Sequence, residues 1–346
     1  MFEIDGLKIG KDCKPYIIAE LSANHGGDIT RAKKSIKAAK DAGVSAVKLQ
    51  TYTPDTMTLN SRKKDFLIND GLWKGNNLYD LYKKAYTPFD WHLELFKYAR
   101  SIGITIFSTP FDETAIDLLD KLDTPAYKIA SFEITDLPLI KYAASKQKPI
   151  LISTGLANID EVDEAVNCIK AQGNNKILLF HCISNYPAKL SDYQLGDIKF
   201  LMDKYKLNVG LSDHTISNQA SVLAIAIGAT AIEKHFKLDN DDCGPDSSFS
   251  ILPDQLKSLV EECEISFNAS RTKGLERPSS ENSNRKYRRS LYFVKDLAKG
   301  HILKGDEIKR IRPGYGLHPK FFKNLIGKTL KKDVEFAEAV SWDCFE

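Results

Sequence analysis

Residues 208–236 read NVGLSDHTISNQASVLAIAIGATAIEKHF. The stretch opens on a β-rich apolar run, Asn208–Asp213, and passes through a short polar loop. It continues as a helical pattern, Asn218–Ile227, and Gly228 stops that pattern before a second β-rich run, Ala231–Phe236. One strand, one helix and the next strand are thus written in 29 residues.

The same unit recurs toward the N-terminus. Further strand candidates are Tyr16–Leu21, Ala46–Thr51, Ile104–Thr109, Ala126–Ser131, Pro149–Thr154 and Lys176–Cys182. Helical patterns lie between them, such as Arg31–Ala42, Trp91–Ser101 and Ile159–Ala171, and Gly43, Gly103 and Gly173 act as stops. Alternating strands and helices imply a parallel sheet with helices outside. Eight units in roughly 250 residues fit a closed (β/α)₈ TIM barrel better than an open doubly wound sheet. The first crossover carries Asn24-His25-Gly26-Gly27 in place of a GxGxxG loop, which removes the main support for a dinucleotide fold.

The repeat stops near Arg271. Residues 1–271 are therefore expected to form the barrel, and the polar, basic stretch 272–289 a linker. Residues 290–346 read as a small second domain of short strands and turns. So small a unit is expected to pack on the barrel or on a neighbouring subunit.

A net charge of +3 on 346 residues does not favour nucleic acid as a partner. The six cysteines (Cys13, Cys168, Cys182, Cys243, Cys263, Cys344) show no CxxC pair or zinc spacing and read as reduced thiols. Without a signal-peptide core or a bilayer-length apolar run, the expected location is the cytoplasm.

Barrel enzymes gather their catalytic groups at the C-terminal strand ends. Those ends carry Glu20, Lys48 with Gln50, Ser108 with Thr109, Lys128 with Ser131, and Ser153 with Thr154. His181, with Ser184 and Tyr186 just after, follows on the sixth strand. The seventh and eighth give Ser212-Asp213-His214 and Glu233-Lys234-His235. The expectation is a ring of polar groups around one mouth. Lys48 and Lys128, with Ser131, Ser153 and Ser212, suit a phosphate and a carboxylate. Alternatively, the lysines form buried ion pairs with Glu20 or Glu233. His214 and His235 suit an open octahedral ion such as Mn²⁺ or Mg²⁺. Glu20 is either a general base or the neutralising partner of Lys48. His25 is a further polar group for the rim, whereas His92, His301 and His318 read as helix or surface histidines.

The motifs Ala19-Glu20-Leu21-Ser22-Ala23-Asn24-His25, Val47-Lys48-Leu49-Gln50-Thr51 and Tyr127-Lys128-Ile129-Ala130-Ser131 occur in order. Ser153-Thr154-Gly155, His181-Cys182 with Tyr186-Pro187, Gly210-Leu211-Ser212-Asp213-His214-Thr215 and Glu233-Lys234-His235-Phe236 follow. Together they resemble the sialic acid synthase family, whose members condense phosphoenolpyruvate with N-acetylated amino sugars to nine-carbon 2-keto acids. The stretch from Arg288 to Leu317 resembles that family's antifreeze-like (SAF) domain. Gln50–Asn60, Gly71-Leu72-Trp73, Leu78–Tyr82 and Asp246–Ser250 are similar to the family's pseudaminic acid branch.

The resemblance implies that Lys48, Thr109, Lys128, Ser131, Ser153 and Ser212 hold phosphoenolpyruvate. Ser184, which stands where sialic acid synthases carry Asn, is counted with them. It implies His214 and His235 as ligands of Mn²⁺, with Mg²⁺ or Co²⁺ as alternatives, and Glu20 with these two histidines as the catalytic set. Gln50, Tyr186, Asp246 and Arg312 face the sugar, Arg312 arriving from the partner of a domain-swapped homodimer. The expected reaction joins phosphoenolpyruvate, 2,4-diacetamido-2,4,6-trideoxy-altrose and water, and releases phosphate by C–O cleavage. Synthesis of N-acetylneuraminate or legionaminic acid is the alternative within the family; a non-catalytic sugar-acid binding protein is the alternative outside it.

Overall fold

A computed structural model describes residues 1–241, 244–271 and 274–346. Cys243 and the first two linker residues, Thr272 and Lys273, lie outside the described residues. The chain divides into two compact units, Met1–Arg271 and Thr272–Glu346.

The first unit begins with a hairpin, β1 (Phe2–Ile4) and β2 (Leu7–Ile9). The barrel strands are β3 (Tyr16–Glu20), β4 (Ala46–Thr51), β5 (Thr105–Pro110), β6 (Tyr127–Ile129), β7 (Ile150–Ser153), β8 (Ile177–Cys182), β9 (Asn208–Asp213) and β10 (Ala231–His235). They pair in parallel in sequence order, and β10 returns to β3 to close the barrel. Helix α1 (Ile29–Asp41) follows β3. Three helices, α2 (Pro54–Met57), α3 (Leu78–Ala85) and α4 (Phe89–Ile102), separate β4 from β5. The later crossovers use α5 (Glu113–Lys121), α6 (Leu137–Ser145), α7 (Ile159–Ala171), α8 (Gly196–Tyr205) and α9 (Gln219–Ala226), and α10 (Pro253–Ser270) completes the unit. None of the described helices is long and apolar enough to cross a membrane.

Period-2 alternation sorts each strand into two faces. Ile18, Ala46, Phe107, Leu151, Leu178, Phe180 and Ala231 fill the barrel interior, and Ile4 and Ile9 of the hairpin pack with them. The intervening residues, such as Ile17, Val47, Ile106, Ile152, Leu179 and Ile232, meet the helices in the larger core. Gly210 is required where the interior narrows, since a Cβ there would lie 2.6 Å from the Ala231 carbonyl and 2.7 Å from the Phe180 ring. Gly103 ends α4 in the left-handed region at φ 71°.

The second unit pairs β11 (Ser290–Phe293) antiparallel with β12 (Ile308–Ile311). Leu291, Phe293, Leu303, Ile308, Leu330 and Val340 are among its core residues. Residues 279–287, expected as linker, wind into 3₁₀ turns within this unit.

Candidate active site

Strand register brings the polar ends together. Glu20 lies beside both Lys48 and His235, and Ser212 beside both Cys182 and Glu233. The result is a four-member charge chain inside the barrel. Lys48 Nζ stands 2.9 Å from Glu20 Oε2 and 3.1 Å from Glu233 Oε1, and Lys128 Nζ stands 3.5 Å from the same Glu233 oxygen. All four are buried. Both lysines thus take up the ion pairs that sequence reading held open, while Lys48 also donates to Thr109 (3.2 Å) and Lys128 to Ser153 (2.7 Å).

The two carboxylates respond in opposite directions. Burial, opposed by Lys48 and aided by Glu233, pushes the Glu20 carboxyl up to about 7. Burial would raise Glu233 as well, but Lys128 and Lys48 outweigh it and hold that carboxyl down at about 2. Burial lowers Lys128, whereas in Lys48 the two carboxylates overcome it and raise the ammonium.

Above this chain lies a cavity of about 400 Å³. Lys48, Lys128, Ser131, Ser153, Ser212 and Glu233 provide its polar lining, with Gln50 and Asp246 at one side. Ser131 meets Ser184 at 2.8 Å, and a Cβ at Gly155 would collide with Ser184 and Cys182, so backbone closes in on this corner. Gln50 donates to Glu20 at 3.1 Å and to Ser22 at 3.0 Å, and Ser22 donates to Asp246. Burial, partly offset by that bond, raises Asp246. Glu20, Thr109 and Ser184 stand behind the lining side chains.

His214 and His235 line the same cavity with ring centroids 5.5 Å apart. His214 Nδ1 lies 2.7 Å from the Ile183 carbonyl, which can only accept, so that nitrogen carries the proton and Nε2 keeps a lone pair. Burial pushes His214 down to about 4 and, with His214 and Lys48 adding to it, His235 well below its usual range. Among the described residues, His235 Nδ1 is buried with no hydrogen-bond partner. Two neutral imidazoles, with His214 Nε2 met only by the Ser212 hydroxyl at a long 3.5 Å, fit a divalent ion. Among the described residues no third histidine, cysteine or carboxylate completes a cluster with them. A bound ion would therefore keep positions for water and substrate oxygens. The Tyr186 ring leans over His214, with centroids 4.4 Å apart and planes tilted by 40°.

Several expected rim residues face the other way. His181 Nε2 meets the Tyr193 carbonyl (2.6 Å), Thr154 donates to the Phe180 carbonyl (3.1 Å), and Ser108 pairs with Thr51 (2.6 Å). Lys234 pairs with Asp213 at 2.7 Å and donates to the carbonyls of Thr215 and Ser217, outside the barrel. Parity explains all of them: each stands one position from an inward residue. His25 is buried beside Trp91 and Thr87, not on the cavity rim, and His92 is buried on α4 against Thr51. Arg312 belongs to the second unit, where it borders a cavity of about 670 Å³ with Arg288, Arg289 and His318.

The cavity also has residues given no substrate or catalytic role from sequence. Glu233, expected there only as an ion-pair partner of the lysines, is one, and its parity with His235 was the available signal. Glu133, pushed up to about 7 by burial, is another, on the turn after β6 where nothing in the sequence marked it. A third group comprises Tyr52, Met57, Leu78, Leu81 and Tyr82, mostly from the insertion between β4 and β5.

Comparison with known proteins follows the same division. The sequence model of the NeuB family matches residues 35–274, and that of the SAF domain residues 288–346. The chain is 44% identical to the pseudaminic acid synthase of Campylobacter jejuni serotype O:23/36, over 95% of this chain and 96% of that one. It is 35% identical to the N,N'-diacetyllegionaminic acid synthase of Legionella pneumophila, over 99% and 98%. The crystal structure of N-acetylneuraminic acid synthetase from Leptospira borgpetersenii superposes with a TM-score of 0.73 at 31% identity, covering 82% of this chain and 94% of that one. With its closed eight-stranded barrel and C-terminal SAF domain, the chain belongs to the NeuB family.

Proposed function

We propose that the chain is a pseudaminic acid synthase, condensing phosphoenolpyruvate with 2,4-diacetamido-2,4,6-trideoxy-altrose. The observation that carries this reading is one cavity with two buried lysines and three serines on its floor, two neutral imidazoles beside them, and an apolar wall. The higher identity to the Campylobacter jejuni relative than to the legionaminic acid synthase supports the choice of sugar.

In this reading Lys48 and Lys128, helped by Ser131, Ser153 and Ser212, hold the phosphate and carboxylate of phosphoenolpyruvate, with Thr109 and Ser184 fixing those side chains from behind. Orientation of this kind supplies several kcal/mol of a two-substrate barrier. C3 of phosphoenolpyruvate bonds to the aldehyde carbon, and positive charge develops at C2. Water adds at C2 and one of its protons ends on the former aldehyde oxygen; the C2–O bond to phosphate breaks as the C2 hydroxyl loses its other proton to the departing phosphate, and the 2-keto acid closes to a pyranose. Glu20 is the candidate carrier of the first proton, its carboxyl raised by burial and joined to the cavity lining through Lys48 and Gln50. His214 and His235 would hold a divalent ion, Mn²⁺ first and Mg²⁺ or Co²⁺ next, whose chemistry is polarisation of the aldehyde oxygen. Gln50, Tyr186 and Asp246 contact the sugar, and Arg312 of a homodimer donates to an N-acetyl carbonyl.

Incubation with phosphoenolpyruvate, Mn²⁺ and equal amounts of the trideoxy-altrose, its legionaminic counterpart and N-acetylmannosamine tests the assignment by mass spectrometry. Pseudaminic acid is the expected main product. A main product from either other sugar moves the chain to another branch, and no product from any of the three returns it to the sugar-acid binding reading.

A further inference from the structure

Helix α3 turns its apolar stripe onto a cavity where such a stripe ordinarily meets a protein core. Leu78, Leu81, Tyr82 and Ala85 stand at i, i+3, i+4 and i+7, and all four line the barrel-mouth cavity. Leu78, Leu81 and Tyr82 remain only partly buried there. Met57 and Trp73 extend the same wall.

The helix is fixed in place independently of any ligand. The N-cap Asn77 accepts from the Tyr79 N–H at 3.0 Å, and its amide donates to the Ser61 and Phe66 carbonyls at 2.7 and 3.1 Å. The Trp73 indole donates to the Pro245 carbonyl at 3.1 Å, which ties the β4–β5 insertion to the loop after β10. Most charged and polar groups gather on the floor and mostly carbon on this wall, with Glu133 near Tyr82 at its edge, so a ligand filling the cavity needs an anionic end and a largely apolar end.

We infer that the α3 wall seats the deoxygenated end of the sugar, its C6 methyl group and the neighbouring acetamido methyl, and so selects a 6-deoxy sugar over one with a C6 hydroxyl. The inference rests on the reading given above. A hydroxyl pressed against Leu78 and Leu81 loses water and gains no partner from them. Apolar pockets reject an added hydroxyl by up to roughly 100-fold, so a preference of about 10- to 100-fold is expected.

The test compares kcat/KM for the trideoxy sugar with that for the same sugar bearing a C6 hydroxyl, in the unaltered chain, Leu81→Met and Leu81→Asn. Leu81→Met keeps the preference. Leu81→Asn reduces it about tenfold, mainly by lowering kcat/KM for the deoxy sugar, while KM for phosphoenolpyruvate stays within twofold. Should Leu81→Asn fail to fold, Leu78→Asn probes the same wall from the first turn. An unchanged ratio in a folded Asn variant overturns the inference and leaves the reaction standing. If the unaltered chain fails to turn over the trideoxy sugar, both are overturned.

Discussion

Replacing Lys128 by Met removes one of the two cations on the cavity floor while keeping most of the side-chain volume. Two unit charges about 4 Å apart interact by about 4 kcal/mol at an effective dielectric of 20. Truncating one member of a buried charged pair typically costs about 2–5 kcal/mol. Binding of phosphoenolpyruvate should therefore weaken by roughly 30- to 4,000-fold, at about 1.4 kcal/mol per factor of ten. Folding should suffer less. Glu233 loses the partner at 3.5 Å but keeps Lys48 at 3.1 Å, and Lys48 is freed from the repulsion of a second buried cation. Phosphate release as a function of phosphoenolpyruvate, with calorimetric titration of the same ligand, measures the effect, and thermal unfolding checks the fold. A folded Lys128→Met protein whose affinity for phosphoenolpyruvate falls less than threefold would refute the assignment of this lysine to the anion seat.

His235→Ala should lower metal affinity and turnover together, as read by Mn²⁺ titration and rate; full metal-dependent turnover in that variant removes the histidine from the metal site. Lys234→Met is the contrasting lysine change: it leaves Asp213 buried without its ion-pair partner, should cost about 3–5 kcal/mol in urea unfolding, and should spare KM for phosphoenolpyruvate. In the second unit, burial raises Glu307 but bonds from the Lys304 N–H, His301 and Lys295 outweigh it and hold the carboxyl at about 2. A lowered folded value means this carboxylate adds stability above the ordinary carboxyl range and loses it as pH falls from about 4.5 to 2. Glu307→Gln should thus destabilise β11–β12 at neutral pH and flatten its acid dependence below pH 4.5, measured by hydrogen exchange at amides 290–311.

The barrel was legible because strand, helix and glycine stop recur with little variation, and residues 208–236 show one turn of that cycle in full. Polar residues at the strand ends were legible as a group but not individually. Reading all of them as a ring ignored the two-residue period, which sends Glu233 and His235 inward and Lys234 outward, and separates Ser212 from Asp213 in the same way. His25 and His92 show a different limit. They lie beyond the strands, where side-chain direction depends on helix packing, and each is buried against partners distant in sequence. The wall from α3 was the least legible part. Its apolar spacing is that of any amphipathic helix, and nothing local says whether the stripe meets a core or a cavity.

The most direct test of the central claim is phosphate release from phosphoenolpyruvate by the purified chain with Mn²⁺, followed with and without 2,4-diacetamido-2,4,6-trideoxy-altrose. The account predicts release only when sugar and metal are both present, and its loss on adding a chelator. Release at the same rate without the sugar, or none with all components present, would contradict it.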